Sequence, residues 1–209
     1  MKVPALIFAI GLLGLSEPAS AHLVSTRFGE LYSGLMHPLT ALQHLVPWLG
    51  LGLLGGLLGS HRSRWVLLAF PLSVGVGALL AGMLPAAAAI DRLNLFSFVL
   101  LGVLVALATR LNRPTFIGLA VIVGLSHGFA NGTADLDGVP LLLYASGVLL
   151  AAYIVIATAT AMTHTLSQRT AWGTLAVRAA GSWIVAIGLV FSGYSLMSGL
   201  MSAGPVAAG

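Results

Sequence analysis

Cysteine is absent from this 209-residue sequence, which excludes disulfides and thiolate metal sites. Any transition-metal site must draw on histidine, carboxylate, amide, methionine or a free amine. Charge is scarce as well. Asp, Glu, Lys and Arg make up 7% of residues, where a soluble domain carries about 25%. No G-x-x-x-x-G-K-[ST] loop occurs, so ATP coupling within this chain is excluded. What fills the sequence is apolar: 58% of residues are hydrophobic and the mean hydropathy is +1.04. Such a chain is a membrane protein almost throughout, and its expected partner is the lipid bilayer.

The first 21 residues have the pattern of a secretory signal peptide. Lys2 supplies the positive start, "ALIFAIGLLGL" (5–15) the apolar centre, and "ASA" (19–21) a small-x-small cleavage site. Cleavage after Ala21 makes His22 the mature N-terminus. The alternative is an uncleaved N-terminal anchor.

Six apolar segments follow, near 38–59, 65–85, 94–111, 115–131, 139–161 and 179–201. A helical span needs about 20 residues. The segments are almost continuously apolar, unlike the short alternating runs of a membrane barrel, so they predict helices. The fold expected is all-α, a polytopic bundle of about six transmembrane helices after a cleaved signal peptide, with 22–209 as one domain. Small residues recur in the spans, as in "GLGLLGGLLG" (50–59) and "VGVGALLAG" (74–82). They fit ordinary close helix packing in lipid, with Gly55 and Gly59 as one GxxxG pair.

Charge gives the orientation. With the mature N-terminus outside, Arg62, Arg64, Arg110, Arg113, Arg169 and Arg178 fall in cytoplasmic loops, including a fifth loop over 162–178. Arg27 and Arg92, with Glu30, Asp91, Asp135 and Asp137, fall outside. Lys and Arg favour the cytoplasmic side, so the reading is a multi-pass protein of the inner membrane with its N-terminus periplasmic. The same split accounts for the net charge of +4 without nucleic acid.

Before the first span, Phe28, Leu31, Tyr32, Leu35 and Met36 make an apolar helical stripe. It predicts a short helix over 22–36 on the outer membrane surface. A strap packed on the bundle needs the same stripe.

Polar groups inside spans are costly and therefore informative. They are Gln43, His44, His127 and Asn131, with His37 at the boundary. Pro38 suits the first turn of a helix, which places His37 at its cap. His44 lies seven residues on, on nearly the same face and roughly 9 Å along the axis. His127 and Asn131 stand one turn apart near the outer end of the fourth span. Topology thus brings His37, His44, His127 and Asn131 to one outer-facing region. Gln43, turned about 100° from His44, is expected to face elsewhere. A free His22 adds an amine and an imidazole that chelate a divalent metal. Glu30, Asp135 and Asp137 would concentrate cations outside. Imidazole suits nickel, cobalt, copper and zinc. The competing reading of His44 and His127 is interhelical hydrogen bonding. His61 and His164 read as solvated residues of cytoplasmic loops.

The sequence resembles the HupE/UreJ membrane proteins, associated with hydrogenase and urease gene clusters and regarded as nickel or cobalt transporters. The resemblance runs over essentially the whole chain. "HP" at 37–38 with His44 is similar to the family's H-P-x-x-G-x-D-H, and "HGFANG" at 127–132 to its H-G-x-A-H-G. His37, Pro38, His44, His127, Gly128, Ala130 and Gly132 match. Ala41 stands for the family glycine, Gln43 for its aspartate, Asn131 for its second histidine, and Ala134 for an acidic residue that often follows. The site implied is thinner and more neutral, and a dication finds less compensation there for its lost hydration.

Three functions follow as expectations. The first is a divalent-metal permease or facilitator for nickel or cobalt, with His37, His44, His127, Asn131 and His22 as its metal residues and no catalytic cofactor. The second is an accessory or scaffold protein for hydrogenase or urease maturation, partnered by maturation proteins or by copies of itself. The third, a serine protease built on His127, Asn131 and Ser146, is disfavoured because the last span carries no histidine to act as base.

Overall fold

The computed structural model describes residues 25–85, 88–132 and 135–202. His22 and the segment read as a signal peptide lie outside the described residues. Eight helices appear among them: α1 (Ser25–Thr40), α2 (Leu42–Leu58), α3 (Ser60–Ser63), α4 (Val66–Ala81), α5 (Ala88–Ala106), α6 (Arg113–Asn131), α7 (Gly138–Arg169) and α8 (Gly173–Ser202). Five helical runs are long and apolar enough to cross a membrane, with α3 and α4 counted as one run. The bent pair α1–α2 makes a sixth. The protein is a polytopic helical membrane protein.

The first span differs from expectation. Pro38 does not begin a helix; it sits in the last turn of α1, and His37 precedes it there. The chain breaks at Ala41, which is extended (φ −94°, ψ 102°), and α2 leaves at 76° to α1. Two local features favour the break. Proline removes a helical N–H and crowds the preceding turn. Thr40 Oγ1 donates to the Met36 and His37 carbonyls at 3.0 and 3.2 Å, a back-bond that bends helices.

The segment expected at the outer surface is instead packed on the bundle, against α7. Only half of its apolar stripe is used. Leu31 and Leu35 turn inward beside the buried Gly34 and Pro38, while Tyr32 and Met36 stay exposed. Close approach decides which half. A Cβ on Gly34 would overlap the Tyr144 carbonyl, and one on Gly147 the Leu31 carbonyl.

Other boundaries also move. α5 begins at Ala88, so Asp91 and Arg92 are helical rather than loop residues. α7 runs on to Arg169, so His164 is helical too. It lines a cavity of about 360 Å³ with Arg62 and Arg110, at the bundle end where the basic residues gather. Gly59 is no packing residue; at φ +83° it ends α2 and lets Ser63 turn back, Oγ donating to the Gly55 carbonyl at 2.5 Å.

α4 and α6 form the most intimate pair, and α2 and α7 cross the middle of the bundle. A Cβ on Gly77 would overlap the Leu125 carbonyl, and one on Gly128 the Val74 carbonyl. Small residues thus let the two backbones touch, and that contact sets the position of His127. The N-terminus of α6 is capped by Asn112, whose Oδ1 accepts from the Thr115 N–H at 3.0 Å, with a proline in the first turn. The core runs through Trp48, Leu51, Leu54, Phe70, Leu101 and Phe116.

Candidate metal site

Three of the expected residues meet. The His37 and His44 ring centres are 6.0 Å apart across the α1–α2 break, and those of His44 and His127 are 5.7 Å apart across the α2–α6 interface. Exposure falls along the row: His37 is exposed, His44 is 4% exposed and His127 0%. A metal–imidazole bond of about 2.1 Å puts an ion roughly 3 Å from a ring centre, so two rings on one ion stand about 5–6 Å apart. The His44–His127 spacing fits that separation.

Ser97 Oγ stands 2.8 Å from the Asn94 carbonyl and 2.9 Å from His127 Nε2. With its proton on that carbonyl, the hydroxyl would accept from Nε2–H and the lone pair would sit on Nδ1. His127 Nδ1 is buried and has no protein partner. His44 Nδ1 is likewise buried without a partner. An imidazole held through one N–H with the other nitrogen bare is the usual arrangement of a metal ligand.

Asn131 lies one turn beyond His127 and is 1% exposed. Its Nδ2 donates to the His127 carbonyl at 2.8 Å, and its Oδ1 is buried without a partner. Its backbone carbonyl accepts from Tyr144 Oη at 2.8 Å. The residue braces the end of α6, and the amide oxygen is the one donor it has to offer. Among the described residues no group of three or more His, Cys, Asp or Glu side chains is arranged to hold one ion. The protein therefore offers two inner imidazoles, a third at the surface and neutral oxygens, a sparse set suited to transient coordination.

Trp48, one turn past His44 on α2, is fully buried and meets Phe70 edge to face at 5.7 Å. Ser146 is exposed and donates to the Leu142 carbonyl at 2.7 Å, whereas His127 bonds Ser97. The protease arrangement is not built.

The structure brings the two histidine-bearing segments side by side. The family model described as HupE / UreJ protein matches residues 10–191. The chain belongs to the HupE/UreJ family. No curated protein and no solved structure matches it. The family is one of nickel- and cobalt-related membrane proteins rather than an enzyme class.

Several residues of this HupE/UreJ site escape a reading of its motifs. Ser97 and Tyr144 orient and brace His127 and Asn131. Gln43, expected to face away, lines the same cavity as His44. Asp91 and Asn94 line it as well. The available signal is the polar spacing Asp91, Asn94, Ser97 in a run that is apolar apart from Arg92, hidden when the third span is begun at residue 94.

Proposed function

We propose that this HupE/UreJ protein is a permease for a divalent transition metal, nickel or cobalt, which enters from the periplasmic side along His37, His44 and His127. One observation carries the reading: two buried imidazoles with unpartnered Nδ1 atoms stand 5.7 Å apart, continued to the surface by a third. Arg62, Arg64, Arg110, Arg113, Arg169 and Arg178, at or near the opposite helix ends, support an inner-membrane location with the site facing out; Arg178 stands in α8, not in a loop as expected, because α8 begins at Gly173. Neutral donors hold a dication loosely, which favours release after admission. Passage inward requires Trp48 and Phe70 to separate, as in alternating access around a central site. No catalytic role belongs to the site.

The test is uptake of radiolabelled nickel and cobalt by cells, and by liposomes holding the purified protein, with wild type and His44→Ala. The expected result is flux by the wild type and its loss in the variant. Equal uptake by both sinks the role of His44. The closure at Trp48 also suits an accessory protein that binds metal for hydrogenase or urease maturation and passes nothing across. In that case metal binds, liposomes show no flux, and the protein co-purifies with a partner.

A further inference from the structure

The cavity beside His44 has a volume of about 380 Å³ and walls from α2, α5, α6 and α8. A dication with about six waters, at roughly 30 Å³ each, fits inside it. Along its α5 wall, polar residues recur every third position: Asp91, Asn94, Ser97. Their exposure falls in that order, from exposed through half-buried to buried. The inner end of this ladder is the hydroxyl that holds His127.

Asn94 is fixed by donation from Nδ2 to the Ser126 carbonyl at 3.3 Å. Its Oδ1 is buried and without a partner. His44, 4% exposed with Nδ1 unpartnered, lines the same cavity. Buried acceptors left bare are uncommon, and each calls for a ligand, an ion or a water. The other side chains named in the walls are neutral, among them Gln43, Tyr194 and Ser195, so Asp91 is the carboxylate of this cavity.

We propose that Asp91 and Asn94 form a loading face on α5. On it a hydrated divalent cation exchanges water for protein oxygens before it meets His44 and His127. Asp91 supplies the negative charge of the cavity, which Gln43 on its α2 wall does not. The inference rests on the metal-binding reading above. Arg92, the next residue on α5, is not in the cavity wall, so the carboxylate that faces the cavity is Asp91, and a carboxylate at the mouth of a low-dielectric cavity raises the local cation concentration. Asn94, one turn deeper, lines the same cavity, and its Oδ1 has no bond to give up when the amide turns to a cation.

The experiment is titration of Ni²⁺ and of Co²⁺ into the purified full-length protein in detergent, followed calorimetrically at low and high salt. Wild type binds. Asp91→Asn raises Kd about tenfold at low salt, and the gap narrows at about 1 M salt. Asp91→Glu keeps the charge and stays near wild type. Asn94→Ala raises Kd about three- to tenfold. Gln43→Asp added to Asp91→Asn recovers the lost affinity, because both positions face one cavity. Matching thermal melts exclude misfolding. If wild type binds neither ion, the metal reading itself fails. If wild type binds and His44→Ala does not, while Asp91→Asn and Asn94→Ala bind like wild type, the loading face alone is overturned. Asp91 is then only a favourable acid in the first turn of α5.

Discussion

Replacing Ser97 by alanine tests the reasoning about His127 most directly. The hydroxyl stands 2.9 Å from Nε2, while Nδ1 has no partner. His127 is 0% exposed, so bulk water does not take its place. The variant orphans a buried donor, which costs about 1–3 kcal/mol of stability. It also frees the ring to take the other tautomer and to rotate. Loss of such an orienting partner lowers metal affinity about 10–100-fold, or about 1.4–2.8 kcal/mol of binding. Co²⁺ titration, read by calorimetry and by its visible absorption, measures the affinity, and a thermal melt in detergent measures the stability. Ser97→Cys keeps a weak acceptor of similar size and falls between the two. Wild-type affinity together with a wild-type melt for Ser97→Ala would refute both the tautomer and the orienting role.

Gly128→Ala places a methyl against the Val74 carbonyl, so α4 and α6 must part. The expected cost is about 1–3 kcal/mol in a thermal melt, with weaker Co²⁺ binding because the adjacent His127 moves. Ala108 ends α5 at φ +49°, where the Thr109 N–H donates to the Leu104 carbonyl and the Ala108 N–H to that of Val105. Glycine is the usual residue at that left-handed position. Ala108→Gly should therefore raise the melting temperature, by about 0.5–1 kcal/mol of stability, with metal binding unchanged. Tyr144→Phe removes the bond to the Asn131 carbonyl and should cost about 0.5–1.5 kcal/mol, with the loss confined to stability if that hydroxyl only braces α6.

The helical class was legible because long apolar runs have one solution in a bilayer. The histidine site was legible in part. Opposite chain directions put His44 and His127 at matched depth, and the 5.7 Å ring separation agrees. Where local chemistry and packing compete, the one-dimensional reading went astray. Pro38 suits a helix start, but α1 packs on α7 and carries the helix through it to Thr40. An apolar stripe on 28–36 predicts a buried face, yet the contact of Gly34 with Tyr144 selects which half is buried. Asp91 reads as a loop acid until α5 is seen to start three residues earlier.

The sequence by itself determined that this chain is an almost wholly apolar membrane bundle. It also determined that no thiolate serves the chain and that its few intramembrane polar groups centre on two histidine-bearing segments. Those are matters of composition and span length, which the bilayer enforces on any sequence. Only the tertiary structure decided which nitrogen of His127 is bare. It also decided that Ser97 and Tyr144 serve the site, and that Gln43, Asp91 and Asn94 share a cavity with His44. Each of these depends on side chains from different helices meeting within hydrogen-bond distance, and helix packing in three dimensions, not spacing along the chain, sets that distance.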